Sequence, residues 1–114
     1  MELRETLTAR HLPPDPPTEG ELAAFDRLLR VAQSDTGMSR KCACFLLAWW
    51  NAGANGGYDL TDLWGLDEKL RQDTIVVIGL IARWQSYPTS LPGGRGEKVR
   101  ALVGQWRSPA APTD

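Results

Sequence analysis

From Cys42 to Trp50 the chain reads Cys-Ala-Cys-Phe-Leu-Leu-Ala-Trp-Trp without a single charge. As a helix this stretch makes about two and a half turns, so it presents apolar side chains in every direction and each direction calls for cover. That requirement sets the fold class. The expectation is an all-α, compact bundle of about four helices with a buried central helix.

Thr36 and Ser39 are both suited to start this helix, which should run to about Ala52. Gly53 is placed to end it, and Asn55-Gly56-Gly57 supplies residues that tolerate positive φ and can turn the chain sharply. Asp59 or Thr61 can cap the turn that follows, and Asp62 suits its positive end. Leu60, Leu63 and Trp64 are then expected to fold back onto the helix just left.

Upstream, Thr18-Glu19-Gly20-Glu21 matches a capping box, and Leu22, Phe25, Leu29 and Ala32 recur at helical spacing with Leu28 beside them. That helix should end near Ser34 to Gly37. Downstream, a third helix is expected from Asp67 to about Ser86, with Leu70, Thr74, Val77, Ile81 and Trp84 as its seam and Ile75, Ile78 and Ala82 widening it. The run Ile75-Val76-Val77-Ile78 also suits a buried strand, but the flanking charged turns and the length favour helix. Tyr87-Pro88 and the glycine loop Pro92 to Gly96 interrupt the chain before a last amphipathic helix, about Glu97 to Arg107, striped by Val99, Leu102, Val103 and Trp106.

These elements define a helical domain over residues 18–107, preceded by an arm and proline-rich linker (1–17) and followed by a tail (108–114). The arm reads as a surface strap carrying Leu3, Leu7 and Leu12, and Pro13-Pro14-Asp15-Pro16-Pro17 favours an extended path. At 114 residues one domain can bury enough surface without cross-links. Cys42 and Cys44 lie about 200° apart around their helix and cannot readily pair. Met1 to Thr6 lacks the basic start and apolar run of a secretory signal, and no apolar stretch is long enough for a bilayer, so the expected location is cytoplasmic.

Catalytic and metal chemistry find little to work with. Asn51, Asn55, Asp59 and Asp62 fall at positions one, five, nine and twelve of a degenerate calcium loop, but its third position is Gly53 and its last the short Asp62. A capped turn explains the same residues. His11 is the sole histidine and sits outside the helical domain, so no triad or zinc site forms around it. The glycine loop Gly93-Gly94-Arg95-Gly96 lacks the Lys-Ser/Thr ending of a phosphate-binding loop. The expectation is no enzyme, no cofactor and no metal.

The net charge of −1 conceals two poles. Between Arg83 and Arg107, Arg83, Arg95, Lys98, Arg100 and Arg107 oppose Glu97, a local +4; between Asp59 and Asp73, Asp59, Asp62, Asp67, Glu68 and Asp73 oppose Lys69 and Arg71, a local −3. Trp49 and Trp50 are adjacent and cannot share one face, and Trp106 beside Arg107 suits an interface anchor. The candidate partner-binding residues are therefore Arg95, Lys98, Arg100, Trp106 and Arg107 on the last helix, or Asp59, Asp62, Asp67 and Glu68 on the acidic turn.

The segments Phe45-Leu46-Leu47-Ala48-Trp49-Trp50-Asn51-Ala52, Gly56-Gly57-Tyr58-Asp59-Leu60-Thr61-Asp62-Leu63-Trp64, Tyr87-Pro88 and Gln105-Trp106-Arg107 resemble an uncharacterised family of small proteins carried on proteobacterial mobile elements, over roughly residues 40–107. That family has no established catalytic residues to carry over, and the first 35 residues lie outside the resemblance. The resemblance implies a non-enzymatic protein that binds and blocks host machinery, with a subunit of a CRISPR effector complex as the protein partner (an anti-CRISPR) and the acidic turn imitating nucleic-acid charge. A regulator that binds nucleic acid through the basic last helix is the alternative, and a second copy of the chain is a further candidate partner.

Overall fold

The computed structural model describes residues 15–107. The expected strap of Leu3, Leu7 and Leu12, His11 and the tail from residue 108 lie outside the described residues.

Helix α1 spans Glu19–Ala32. Its capping box closes as the spacing predicts: the Glu21 amide donates to Thr18 Oγ1 at 3.1 Å, and the Thr18 amide donates to Glu21 Oε1 at 2.9 Å. Ala24, Phe25, Leu28, Leu29 and Ala32 are buried along one face. Helix α2 spans Gly37–Asn55 and is capped by Thr36, whose hydroxyl accepts from the Ser39 amide at 3.0 Å. It buries Cys42, Ala43, Phe45, Leu46 and Leu47, while Cys44, Ala48, Trp49 and Trp50 stay half-buried, so the cover on its uncharged stretch is incomplete.

Gly53 does not end α2. The helix breaks at Asn51 (φ −165°, ψ 90°), whose side-chain oxygen accepts from the Ala54 amide at 3.1 Å and starts one more turn. The true C-cap is Gly56 at φ +94°, a conformation open to glycine and strained for other residues. Asp59 then caps a 3₁₀ turn, Leu60–Gly65, and Asp67 caps α3, Glu68–Trp84, accepting from the Leu70 amide at 2.8 Å. The strand alternative at Thr74 to Ala82 is resolved in favour of helix. A short 3₁₀ turn, Pro88–Ser90, leads to α4, Arg95–Trp106, which buries Gly96, Val99 and Leu102.

Among the described residues the elements form an all-α bundle of four helices. Helix α1 packs chiefly against α2 and α3 and touches α4 only lightly, α4 packing mainly on the Pro88–Ser90 turn and on α2; α2 and α3 lean on α1 far more than on each other. Three two-pronged ion pairs repeat this arrangement. Arg27 of α1 grips Asp73 of α3 (2.8 and 2.9 Å), Glu21 of α1 receives Arg83 of α3 (2.6 and 2.8 Å), and Asp26 of α1 receives Arg95 of α4 (2.7 and 2.8 Å). Such forked, charge-assisted contacts fix orientation as well as adding attraction.

Because α3 leans on one neighbour, it has room to bury only one stripe. Leu70, Asp73, Thr74, Val77 and Leu80 fill it. Ile81 and Trp84 of the expected seam are half-buried, and the widening by Ile75 and Ile78 does not occur: both are exposed, with Val76.

Candidate functional site

The basic pole read from the sequence is largely engaged within the molecule. Arg83 and Arg95 are held by Glu21 and Asp26, and each also donates to a backbone carbonyl, that of Pro16 (3.1 Å) and Pro92 (2.8 Å) respectively. Arg107 closes the carboxyl end of the bundle, donating to the Asn55 carbonyl at 2.7 Å, to the Trp106 carbonyl and to Cys44 Sγ at 3.1 Å. Trp106 is half-buried, and its indole N–H donates to the Ala32 carbonyl at 2.9 Å. Lys98 and Arg100 are exposed beside Glu97.

The acidic turn is arranged differently. Asp59 is exposed and accepts from the Thr61 hydroxyl (2.8 Å) and amide (2.9 Å), which hold its carboxyl below the usual carboxylate range. Asp67 caps α3, Glu68 is exposed, and Asp62 is half-buried. Among the described residues none of these four forms an ion pair, whereas Asp73, the fifth acid of the segment, is buried against Arg27 with Lys69 at 3.6 Å.

Between those acids stands Trp64, 79% exposed, with Leu60 67% exposed on the same 3₁₀ turn and Ile75 of α3 55% exposed. The expectation that Leu60 and Trp64 fold back is thus overturned. Leu63 does fold back, half-buried against the core, as do the residues at either end of the turn: Tyr58 sets its ring edge-on to Phe45 (centroids 5.3 Å apart), and Leu66 is buried in the core. With both ends and Leu63 anchored, Leu60 and Trp64 are left facing outward. Leu63, Trp64, Glu68, Arg71 and Ile75 line a shallow hollow of about 520 Å³ there. A second, of about 410 Å³, lies where α2 and α3 diverge, floored by Phe45, Trp49, Tyr58 and Ile81 and edged by Leu60 and Ile78.

The other candidates of the sequence take structural places. Trp49 meets Phe25 edge to face at 6.2 Å and donates its indole N–H to the Ser86 carbonyl at 2.9 Å. Trp50 is half-buried beside the exposed Tyr87. The calcium-loop side chains do not converge: Asn51 caps Ala54, Asn55 donates to the Leu47 carbonyl at 3.3 Å, and Asp59 caps Thr61. Among the described residues no three His, Cys, Asp or Glu side chains gather as a metal-binding group. Burial pushes the Cys42 thiol up to about 12, aided by Asp67 and Asp73, and burial pushes the Tyr58 hydroxyl up to about 12, aided by Asp62, so both groups are protonated at neutral pH.

Sequence reasoning passed over Trp64, Leu60 and Ile75 as contact residues. The available signal was Trp64 itself, set between Asp62 and Asp67 in a segment too short for a second core face.

No curated protein and no solved structure matches the chain. The model of a family of unknown function, DUF7673, matches residues 22–107, and so takes in most of α1, which the resemblance over residues 40–107 left out. The chain belongs to this family of unknown function.

Proposed function

We propose that the chain is a non-enzymatic protein-binding module acting by contact. Following the resemblance to proteins of mobile elements, the proposed target is a host defence complex, with a CRISPR effector subunit as the first partner to try. The observation that supports protein binding is the exposure of Trp64 together with Leu60 and Ile75. Tryptophan is the side chain most enriched among interface anchors, and a rimmed apolar patch of this kind marks contact surfaces on soluble proteins.

Nucleic-acid binding through α4 draws less support from the same structure. With Arg83, Arg95 and Arg107 engaged internally, Lys98 and Arg100 could neutralise about two phosphates, which corresponds to a salt slope of only about −2.

The test is direct binding between the purified chain and purified effector complexes, with Trp64→Ala and the double variant Lys98→Glu, Arg100→Glu run alongside, plus a gel-shift titration against salt. Saturable binding to an effector subunit, with inhibition of its activity, is the expected result. A failure to bind any effector complex overturns the proposed target; a gel shift with a steep salt slope, abolished by the double variant, overturns protein binding in favour of nucleic acid.

A further inference from the structure

Resting on the protein-binding reading, the charges around Trp64 say what kind of partner fits. Asp59, Asp62, Asp67 and Glu68 surround the exposed turn without ion-pair partners among the described residues. Two cations lie close: Arg71 lines the hollow beside Trp64, and the Lys41 ammonium lies over Gly65. Lys69 is turned instead toward Asp73 at 3.6 Å. Arg27 already meets both Asp73 oxygens, so the Lys69 charge counts here as well: four acids against Arg71, Lys41 and Lys69 leave the turn at −1, while the centre of the patch is aromatic and aliphatic. Elsewhere α1 supplies Glu21 and Asp26 to neutralise Arg83 of α3 and Arg95 of α4, so those arginines are not turned toward this turn's acids.

We infer that the partner presents a basic amphipathic segment: an apolar side chain seats in the hollow lined by Leu63, Trp64 and Ile75, and Lys or Arg residues flanking it meet Asp59, Asp62, Asp67 and Glu68. The apolar contact supplies most of the affinity, because a large exposed aromatic loses its water on docking. The rim supplies selection and speed, since opposite potentials steer the encounter and a like-charged partner is repelled. An acidic or neutral segment of the same shape leaves the carboxylates facing it without compensation.

The inference is tested with two synthetic helical peptides, one with Leu and Phe along one face flanked by Lys, the other identical but with Glu for Lys, each titrated into the full chain by fluorescence anisotropy. The Lys peptide should bind at least about tenfold more tightly than the Glu peptide. Trp64→Ala should weaken the Lys peptide at least about tenfold, and the double variant Asp62→Asn, Glu68→Gln should reduce both its affinity and its salt dependence. Equal binding of the two peptides, or binding indifferent to Trp64→Ala, overturns the inference. So does self-association of the chain that Trp64→Ala abolishes, since a second copy would then be the occupant. A protein partner whose binding survives Trp64→Ala but not the Lys98, Arg100 double variant would overturn this surface while leaving the protein-binding reading standing; loss of every protein partner would overturn both.

Discussion

The Arg27–Asp73 pair offers the sharpest test of how the bundle is assembled. Asp73 is 2% exposed, and Arg27 meets both its oxygens at 2.8 and 2.9 Å across the α1–α3 interface. Removing one member of a buried pair costs about 3–5 kcal/mol, because the other charge is left in the interior. Here two features moderate that cost: Lys69 Nζ stands 3.6 Å from Asp73, and the Arg27 side chain is 35% exposed. Arg27→Met is therefore expected at the low end, about 3 kcal/mol, and Asp73→Leu at about 2 kcal/mol, since the guanidinium it strands can still reach water. The double variant replaces the pair with apolar contact and should cost no more than about 2 kcal/mol, against about 5 kcal/mol for independent effects, a coupling of about 3 kcal/mol. Urea unfolding followed by circular dichroism reads all four proteins, provided the slope with denaturant is unchanged. Additivity within about 0.5 kcal/mol, or an Arg27→Met cost below about 1 kcal/mol, would refute the claim that this pair locks α3 to α1.

Further outcomes follow from other contacts. A Cβ on Gly96 would press into the Thr89 carbonyl, so Gly96→Ala should destabilise by about 2–3 kcal/mol, whereas Gly104→Ala on the same helix meets nothing within 4 Å and should stabilise by about 0.5–1 kcal/mol; paired melting curves read both signs. The Arg83 guanidinium holds the Glu21 carboxyl down to about 2 from its ordinary 4.5. The stability this contributes is complete above the ordinary value and fades as pH falls from about 4.5 toward about 2, so the difference in urea midpoint between wild type and Glu21→Gln should shrink across that window. Trp64→Ala should leave stability within about 0.5 kcal/mol of wild type and remove the most red-shifted part of the tryptophan emission, which equilibrium unfolding and fluorescence spectra check.

How much of the fold is legible in the sequence depends on the range of the interaction that decides each feature. Thr18, Thr36, Asp59 and Asp67 each start their helices or turns through hydrogen bonds to amides two or three residues ahead, so a reader of the chain can find them. The end of α2 is harder, because Gly53 and Gly56 both suit a terminus, and Asn51 settles the choice by capping one further turn. Charge is the least legible. The +4 counted over residues 83–107 is a count along the chain, while Glu21 and Asp26, more than sixty residues away, neutralise two of those arginines.

By itself the sequence determined an all-α bundle of four helices, the starts of the first three and the uncharged stretch that brings them together, since caps and helical periodicity are written within a turn or two of the residues they govern; the fourth, which has no side-chain cap, starts at Arg95 inside the glycine loop rather than at Glu97. Tertiary structure alone decided which apolar residues remain outside. Helices α2 and α3 diverge because each packs on α1, and a helix with one neighbour buries one stripe. Ile75 and Ile78 therefore face outward, and Trp64, on a turn anchored at both ends by Tyr58 and Leu66, stands among carboxylates without ion-pair partners among the described residues.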